Sequence, residues 1–349
     1  MLSMRHFLSI LLASFLAASA ANAQIGGNTS YAALNLVSSA RIASLGGNLI
    51  AVKDGDMTLG MYNPALLNKE MDQGAALSYV NYMGDINFGF AGYTKHIDSI
   101  ATFSATLHYL NYGRFEERSE TGEKLGEFSA GDYALTIGAG RQIDSLFSVG
   151  ANFKMIYSSY YSFNAFALAL DMGATFHKAS RGFTASFLIK NFGLELDPLY
   201  TGSKQKLPFE AQIALSKKLK HAPFRFSLAY ENLQQWDISY IDPTLKPTID
   251  PTTGEEIPVE APGFFNKLGR HMVIGTELVA KNFSIGFGYN FRRRQELKVT
   301  DKAGISGFSF GLGMNIKKIR FSYGLASYNR AGISNHITVA ININEWMRP

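Results

Sequence analysis

The chain has no cysteine, only two tryptophans and, after its first two dozen residues, no long apolar run. The missing cysteines exclude disulfide scaffolds, cysteine-ligated zinc, iron–sulfur clusters and a thiol nucleophile. The missing apolar run excludes a helical membrane protein, because a spanning helix needs about 18 or more consecutive apolar residues. Charge is sparse: 17% of the 349 residues are charged, and the formal +5 is spread along the chain, which leaves no footprint for a nucleic-acid partner. The histidines (His6, His96, His108, His177, His221, His271, His336) form no HExxH or i, i+4 pair, and no Gly-x-Ser-x-Gly elbow occurs. Catalytic, cofactor-binding and metal-ligating residues are therefore expected to be absent.

Residues 1–23 carry Arg5 and His6, an apolar stretch from Phe7 to Ala18, and small residues ending Ala21-Asn22-Ala23. This pattern predicts a secretory signal peptide cleaved before Gln24, and hence an envelope protein.

What the sequence has in quantity is Phe, Tyr and Gly arranged with period two, in segments of about ten residues, as expected of a membrane β-barrel. Phe283, Ile285, Phe287, Tyr289 and Phe291 share one face of a strand, while Ser284, Gly286, Gly288 and Asn290 share the other. Phe308, Phe310, Leu312, Met314 and Ile316 alternate with Ser309, Gly311, Gly313 and Asn315. Ile319, Phe321, Tyr323 and Leu325 alternate with Arg320, Ser322, Gly324 and Ala326, and a last strand runs through Ile337, Val339, Ile341 and Ile343. The same template places strands near 74–82, 85–95, 99–112, 127–139, 145–157, 163–176, 181–191, 207–217, 223–234 and 269–280. The total is fourteen, an even number that brings both ends of the barrel to one side. Connections alternate in length. Those predicted to be periplasmic are brief, and most of those predicted to be extracellular are long, notably 113–127, 192–205, 235–268 and 292–304. Only the first outer turn, at Met83 and Gly84, is expected to be short. A soluble sandwich or propeller also alternates, but it seldom exposes so many aromatics on one face, and its loops need not alternate in length.

The 235–268 loop contains five of the ten prolines and the acids Asp237, Asp242, Asp250, Glu255, Glu256 and Glu260, while the 292–304 loop contains Arg292, Arg293 and Arg294. Together they predict a partner-docking surface with both signs of charge, against the plainer reading of solvated loops. The Gly-x-Gly pairs at 138/140, 286/288 and 311/313 lie within strands with no helix following, so they read as small lumen-facing residues rather than phosphate loops. Inward faces look rich in Gly, Ala, Ser and Asn and poor in charge, which disfavours a porin and leaves room for a plug.

Residues 24–73 precede the first strand and lack sustained alternation. They contain Ser39-Ala40-Arg41, Ser44-Leu45-Gly46-Gly47, Asp54-Gly55-Asp56 and Asn63-Pro64-Ala65-Leu66-Leu67. This segment resembles the N-terminal hatch of the outer-membrane fatty-acid transporter superfamily, in which a fourteen-stranded barrel encloses the hatch. The resemblance implies that Arg41, Gly46, Gly47, Asp54, Asn63 and Pro64 are hatch residues. Together with YVNY at 79–82, HYLNYGRF at 108–115, FSAGDYAL at 128–135 and HAPFRFSLAYENLQQWD at 221–237, the chain resembles the PorV/PorQ family of type IX secretion barrels of Bacteroidetes. That resemblance implies a non-enzymatic outer-membrane protein with periplasmic termini, which anchors or scaffolds the surface attachment complex that processes C-terminal-domain cargo. The implied partners are PorZ, PorU and PorV-like proteins and membrane lipid. Uptake of hydrophobic small molecules is the alternative carried by the wider superfamily.

Overall fold

The computed structural model describes residues 31–197, 206–239, 248–249, 256–257, 262–297, 304–329 and 332–343. Fourteen antiparallel strands close into one barrel: β1 (Gly74–Asn81), β2 (Asn87–Ile97), β3 (Ala101–Arg118), β4 (Lys124–Gln142), β5 (Phe147–Tyr160), β6 (Phe163–Lys178), β7 (Phe183–Asp197), β8 (Glu210–Lys218), β9 (Phe224–Tyr230), β12 (Met272–Val279), β13 (Phe283–Asn290), β14 (Phe308–Ile316), β15 (Ile319–Asn329) and β16 (Gly332–Asn342). The strands β10 (Thr248–Ile249) and β11 (Glu256–Ile257) form a separate two-stranded ribbon. Closure is made by β1 against β16, from Gly74 opposite Asn342 to Asn81 opposite Asn335.

Alternation decides which face meets which medium. Phe287, Phe310 and Leu325 lie opposite one another across β13, β14 and β15, and Phe287 and Phe310 are exposed on the outside. One residue along, Gly286, Gly311 and Gly324 form a matching inward row. On the opposite wall Gly140, Gly150 and Gly173 form a second glycine row across β4, β5 and β6.

These rows make room for residues 31–73, which hold two short helices, Ala40–Ser44 and Met57–Tyr62, and several 3-10 turns. A Cβ on Gly286 or Gly311 would strike Ser44, and one on Gly324 would strike the Ala40 carbonyl. A Cβ on Gly140 or Gly150 would strike the Pro64 carbonyl, and one on Gly173 the Asn63 side chain. The Ser-Ala-Arg and Asn-Pro-Ala motifs thus each sit on a shelf made by glycines of the wall. Polar ties complete the seating. The Ala40 amide donates to Thr338 Oγ1 (3.0 Å), Ser148 Oγ donates to the Ala65 carbonyl (2.7 Å), and Ser216 Oγ donates to the Ala51 carbonyl (2.5 Å).

The wall is uneven. Strands β3 to β7 have 14 to 19 residues, whereas β8, β9 and β12 to β14 have 7 to 9. The expected loop at 113–127 is mostly strand, because β3 runs on to Arg118 and β4 starts at Lys124. Above the lipid nothing selects apolar alternation, so the hairpin GRFEERSETGEKLGE lacks the pattern that marks the rest. Two further connections on the long-loop rim, 161–162 and 330–331, are as short as those on the other rim. Residues 269–271 do not extend β12; the helix Phe264–Arg270 precedes it, and Phe291 opens the helix Phe291–Leu297 rather than ending β13.

Candidate functional site

The lumen contains two linked features, an ion cluster that fastens the hatch and a cavity beside it. Arg41 leaves the helix Ala40–Ser44 and grips three carboxylates. Its Nε donates to Glu277 Oε1 (2.8 Å) and its Nη2 to Glu277 Oε2 (3.0 Å), while Nη1 reaches Asp56 Oδ2 (2.9 Å) and Nη2 reaches Asp54 Oδ2 (2.9 Å). Arg225 of β9 bonds Glu277 (2.8 Å) and Asp54 (3.2 Å), and Arg320 of β15 approaches Asp56 at 3.6 Å. Three arginines thus meet three acids, half of them from the hatch and half from β9, β12 and β15. Burial alone would raise the Asp54 carboxyl, but Arg41, Arg225 and Arg320 beside it hold it well below the usual carboxylate range. Despite its burial, Arg41 is held above its ordinary value by Asp54, Glu277 and Asp56.

Asp56 has a second task. Its Oδ1 accepts from the Thr58 amide (3.0 Å), which caps the helix Met57–Tyr62. Gly46 and Gly47 have φ of +90° and +93°, a left-handed turn that glycine adopts without a Cβ clash. The turn aims the Gly46 amide at Ser309 Oγ (2.8 Å) and its carbonyl at Asn290 Nδ2 (3.2 Å). Asn63 is fully buried; its Oδ1 accepts from the Ala65 amide (3.1 Å) and its Nδ2 donates to the Ile50 carbonyl (2.8 Å). Pro64 occupies the first position of the turn that follows.

Above the ion cluster lies a lumenal cavity of about 190 Å³. Hatch residues Leu36, Ile42 and Leu49 and wall residues Phe88, Leu110 and Ile156 give it an apolar side. The other side is charged but internally paired: Lys154 with Asp171 at 2.8 Å and Lys190 with Glu210 at 3.1 Å. Asp132 accepts from the Tyr112 and Tyr160 hydroxyls, both at 2.7 Å. Glu231, which accepts from Asn48 Nδ2 (2.8 Å), is pushed up by burial and by the neighbouring Glu210.

The chain matches no protein-family model and no curated protein sequence. Solved structures do match. The Ralstonia pickettii toluene transporter TbuX superposes with a TM-score of 0.50 at 11% identity, over 88% of this chain and 98% of that one. The Pseudomonas putida toluene transporter TodX gives 0.50 at 12% identity, over 91% and 98%. The deltaS2S3 mutant of the TodX monoaromatic hydrocarbon channel gives 0.51 at 11% identity, over 87% and 98%. The chain shares with them a closed barrel of fourteen antiparallel strands preceded by an N-terminal segment. At such identities the likeness to the toluene transporters is one of fold.

Of the residues expected in the hatch, the barrel brings Arg41 and Asp54 into the ion cluster, sets Gly46 against β13 and β14 and Gly47 against Arg293, and sets Asn63 and Pro64 against β4 to β6. The expected acidic docking residues Asp242, Asp250, Glu255 and Glu260 lie outside the described residues, as does the Glu256 side chain. Arg292, Arg293 and Arg294 do not form an exposed basic loop. Arg292 and Arg293 line the cavity, where the carboxylates of Glu231, Glu296 and Glu210 offset the burial of Arg292 and raise it. Arg293 stacks over the Tyr328 ring at 4.4 Å, and Arg294 donates to the Gly304 carbonyl (2.6 Å). The expectation of few inward charges also fails. Lys154, Asp171, Lys190, Glu195, Glu210, Arg225 and Glu277 all point inward from strands, seven charges that the reading of a charge-poor lumen overlooked. The signal that could have found them was the charge at inward positions of otherwise Ser- and Gly-lined strands.

Proposed function

We propose that this barrel works by binding rather than by catalysis, and that its task is to anchor or scaffold the surface attachment machinery of type IX secretion, as a PorQ-like protein. The observation that carries this reading is the fastening of the hatch: three acids, two of them buried, and three arginines join it to the neighbouring strands β9 and β12 and to β15, and glycine shelves hold it on both sides. A lumen filled in this way favours a static role. The resemblance of residues 35–68, 108–115, 128–135 and 221–237 to the PorV/PorQ family supports the specific system. On this reading the short-turn rim and both termini face the periplasm, and PorZ, PorU and PorV-like proteins meet the long-loop rim.

A second reading is uptake of a hydrophobic small molecule, favoured by the apolar side of the cavity and by the toluene transporters that share the fold. The fold comparisons taken alone support this second reading more directly than the first. Deleting the gene and measuring surface display of C-terminal-domain cargo beside uptake of radiolabelled toluene separates them. Lost display with unchanged uptake supports the attachment role; lost uptake with normal display overturns it in favour of transport.

A further inference from the structure

The short side of the wall poses a physical problem. A transmembrane strand needs about 9–11 residues to cross the hydrocarbon at the usual tilt. β9 has 7 residues and β12 has 8, so this part of the barrel is too short to present a full lipid-facing belt. A shortfall of this kind has to be met by a thinner bilayer or by apolar groups added at the edge.

The structure places such groups there. Tyr230 closes β9 on the outer face, opposite the exposed Ile213 of β8 and opposite Met272 of β12. From it a column of rings continues past the end of the ladder. Tyr230 stacks on His271 at 4.7 Å, His271 on Trp236 at 5.9 Å, Trp236 meets Phe264 at 5.2 Å, and Phe264 meets Phe265 at 5.5 Å. Phe265 is 84% exposed, the highest value among the large apolar side chains described, and Phe264 is 61% exposed. The helix bearing them is fixed from its other side. Lys267 pairs with Asp237 at 2.6 Å, Arg270 Nε donates to Asn266 Oδ1 (2.9 Å), and both His271 nitrogens lie within 2.9 Å of backbone carbonyls of Glu231 and Trp236. Rings on one side and ions on the other match the headgroup region, where Trp and Tyr prefer to sit.

We propose that Trp236, Phe264 and Phe265 form a lipid anchor that lies in the headgroup and upper acyl region of the membrane and completes the lipid-facing belt where β9 and β12 fall short. The occupant of this aromatic face is lipid, because its ring contacts run on from Tyr230 on the outer face of β9, beside the exposed Ile213 of β8. This inference does not depend on which task the barrel performs.

The chain offers its own reporter. Its two tryptophans are Trp236 and Trp346, so Trp346→Phe leaves Trp236 as the only emitter. The full-length variant is refolded into phosphatidylcholine vesicles whose acyl chains carry bromines either close to the headgroup or near the chain ends, and folding is verified by heat-modifiable gel migration. We expect the bromines close to the headgroup to quench Trp236 strongly, those near the chain ends weakly, and aqueous iodide little. Phe264→Ser with Phe265→Ser in the same background should weaken bromolipid quenching and strengthen iodide quenching. Strong iodide quenching with no bromolipid quenching at either depth overturns the proposal and assigns the face to water or a protein partner, and so does a serine pair that leaves the quenching unchanged. Should Trp346→Phe not fold, the difference in emission between the unaltered chain and Trp236→Phe gives the same readout.

Discussion

Replacing Arg41 with methionine keeps most of the side-chain volume and removes the charge at the centre of the ion cluster. Asp56 and Glu277 have only 3% of their side chains exposed, and Arg41 has 13%, so water cannot substitute for the lost partner. Arg225 and Arg320 remain to face Asp54, Asp56 and Glu277, and the local charge goes from zero to minus one. Removing one partner of a buried ion pair costs about 3–5 kcal/mol. At about 1.4 kcal/mol per tenfold change, release of the hatch from the wall should become more frequent by roughly two to three and a half orders of magnitude. The barrel ladder is untouched and should stay closed. Since the chain has no native cysteine, Ala43→Cys supplies a single thiol at a site 1% exposed in the seated hatch, and its labelling rate reports release. Adding Glu277→Gln to Arg41→Met restores two bases against two acids and should recover part of the lost protection. The reasoning fails if Arg41→Met labels no faster than its parent while the barrel is folded, or if the double variant labels at least as fast as the single one.

Three further outcomes follow from the same geometry. Because the Asp54 carboxyl is depressed in the folded state, its contribution is present above the unfolded value of 3.8 and is lost as pH falls through the lower folded value. Thiol labelling at position 43 by a dipyridyl disulfide, which reacts in acid, should therefore hold flat from neutral pH down to about 4 and rise only below that. Phe310→Arg, on the lipid face, should cost the barrel about 2–4 kcal/mol in a refolding titration. Ser309→Arg should spare the barrel and unseat the hatch, because Ser309 Oγ accepts from the Gly46 amide and donates to the Ser44 carbonyl (3.1 Å); equal loss of barrel stability in the two would contradict the face assignment. Gly150→Ala places a methyl against the Pro64 carbonyl and should cost about 1–3 kcal/mol of hatch seating, read as faster labelling at position 43 with unchanged barrel migration.

The alternation of Phe308 to Ile316 and its neighbours carried the strand number because lipid on one side and a packed lumen on the other force a period of two at every step. The hatch motifs were legible as departures from that period. What they bind was not legible, since Arg41 and Glu277 are 236 residues apart and meet only after β12 is placed beside β9 and β13. The inward turn of Arg292 and Arg293 was hidden for the same reason: the acids beside Arg292, Glu210 and Glu231, and the Tyr328 ring under Arg293 stand on other elements. Strand ends were misjudged where the medium changes. The hairpin 113–127 rises above the lipid and loses its apolar signature, while Phe264 and Phe265 keep an apolar signature without being strand.

The glycine rows have a consequence for permeability. A wall lined by Gly140, Gly150 and Gly173 on one side and Gly286, Gly311 and Gly324 on the other is thin where the plug is thick. Barrels of eight strands fill themselves with side chains, whereas those of about sixteen leave an aqueous channel. This one has fourteen strands and along its two glycine rows leaves the inward space to the hatch, so emptied of residues 31–73 it would be an open pore. The tightness of the barrel therefore depends on a short, irregular segment staying seated, and a destabilised hatch would register first as leakage of small hydrophilic solutes from vesicles that contain the protein, before any loss of the barrel itself.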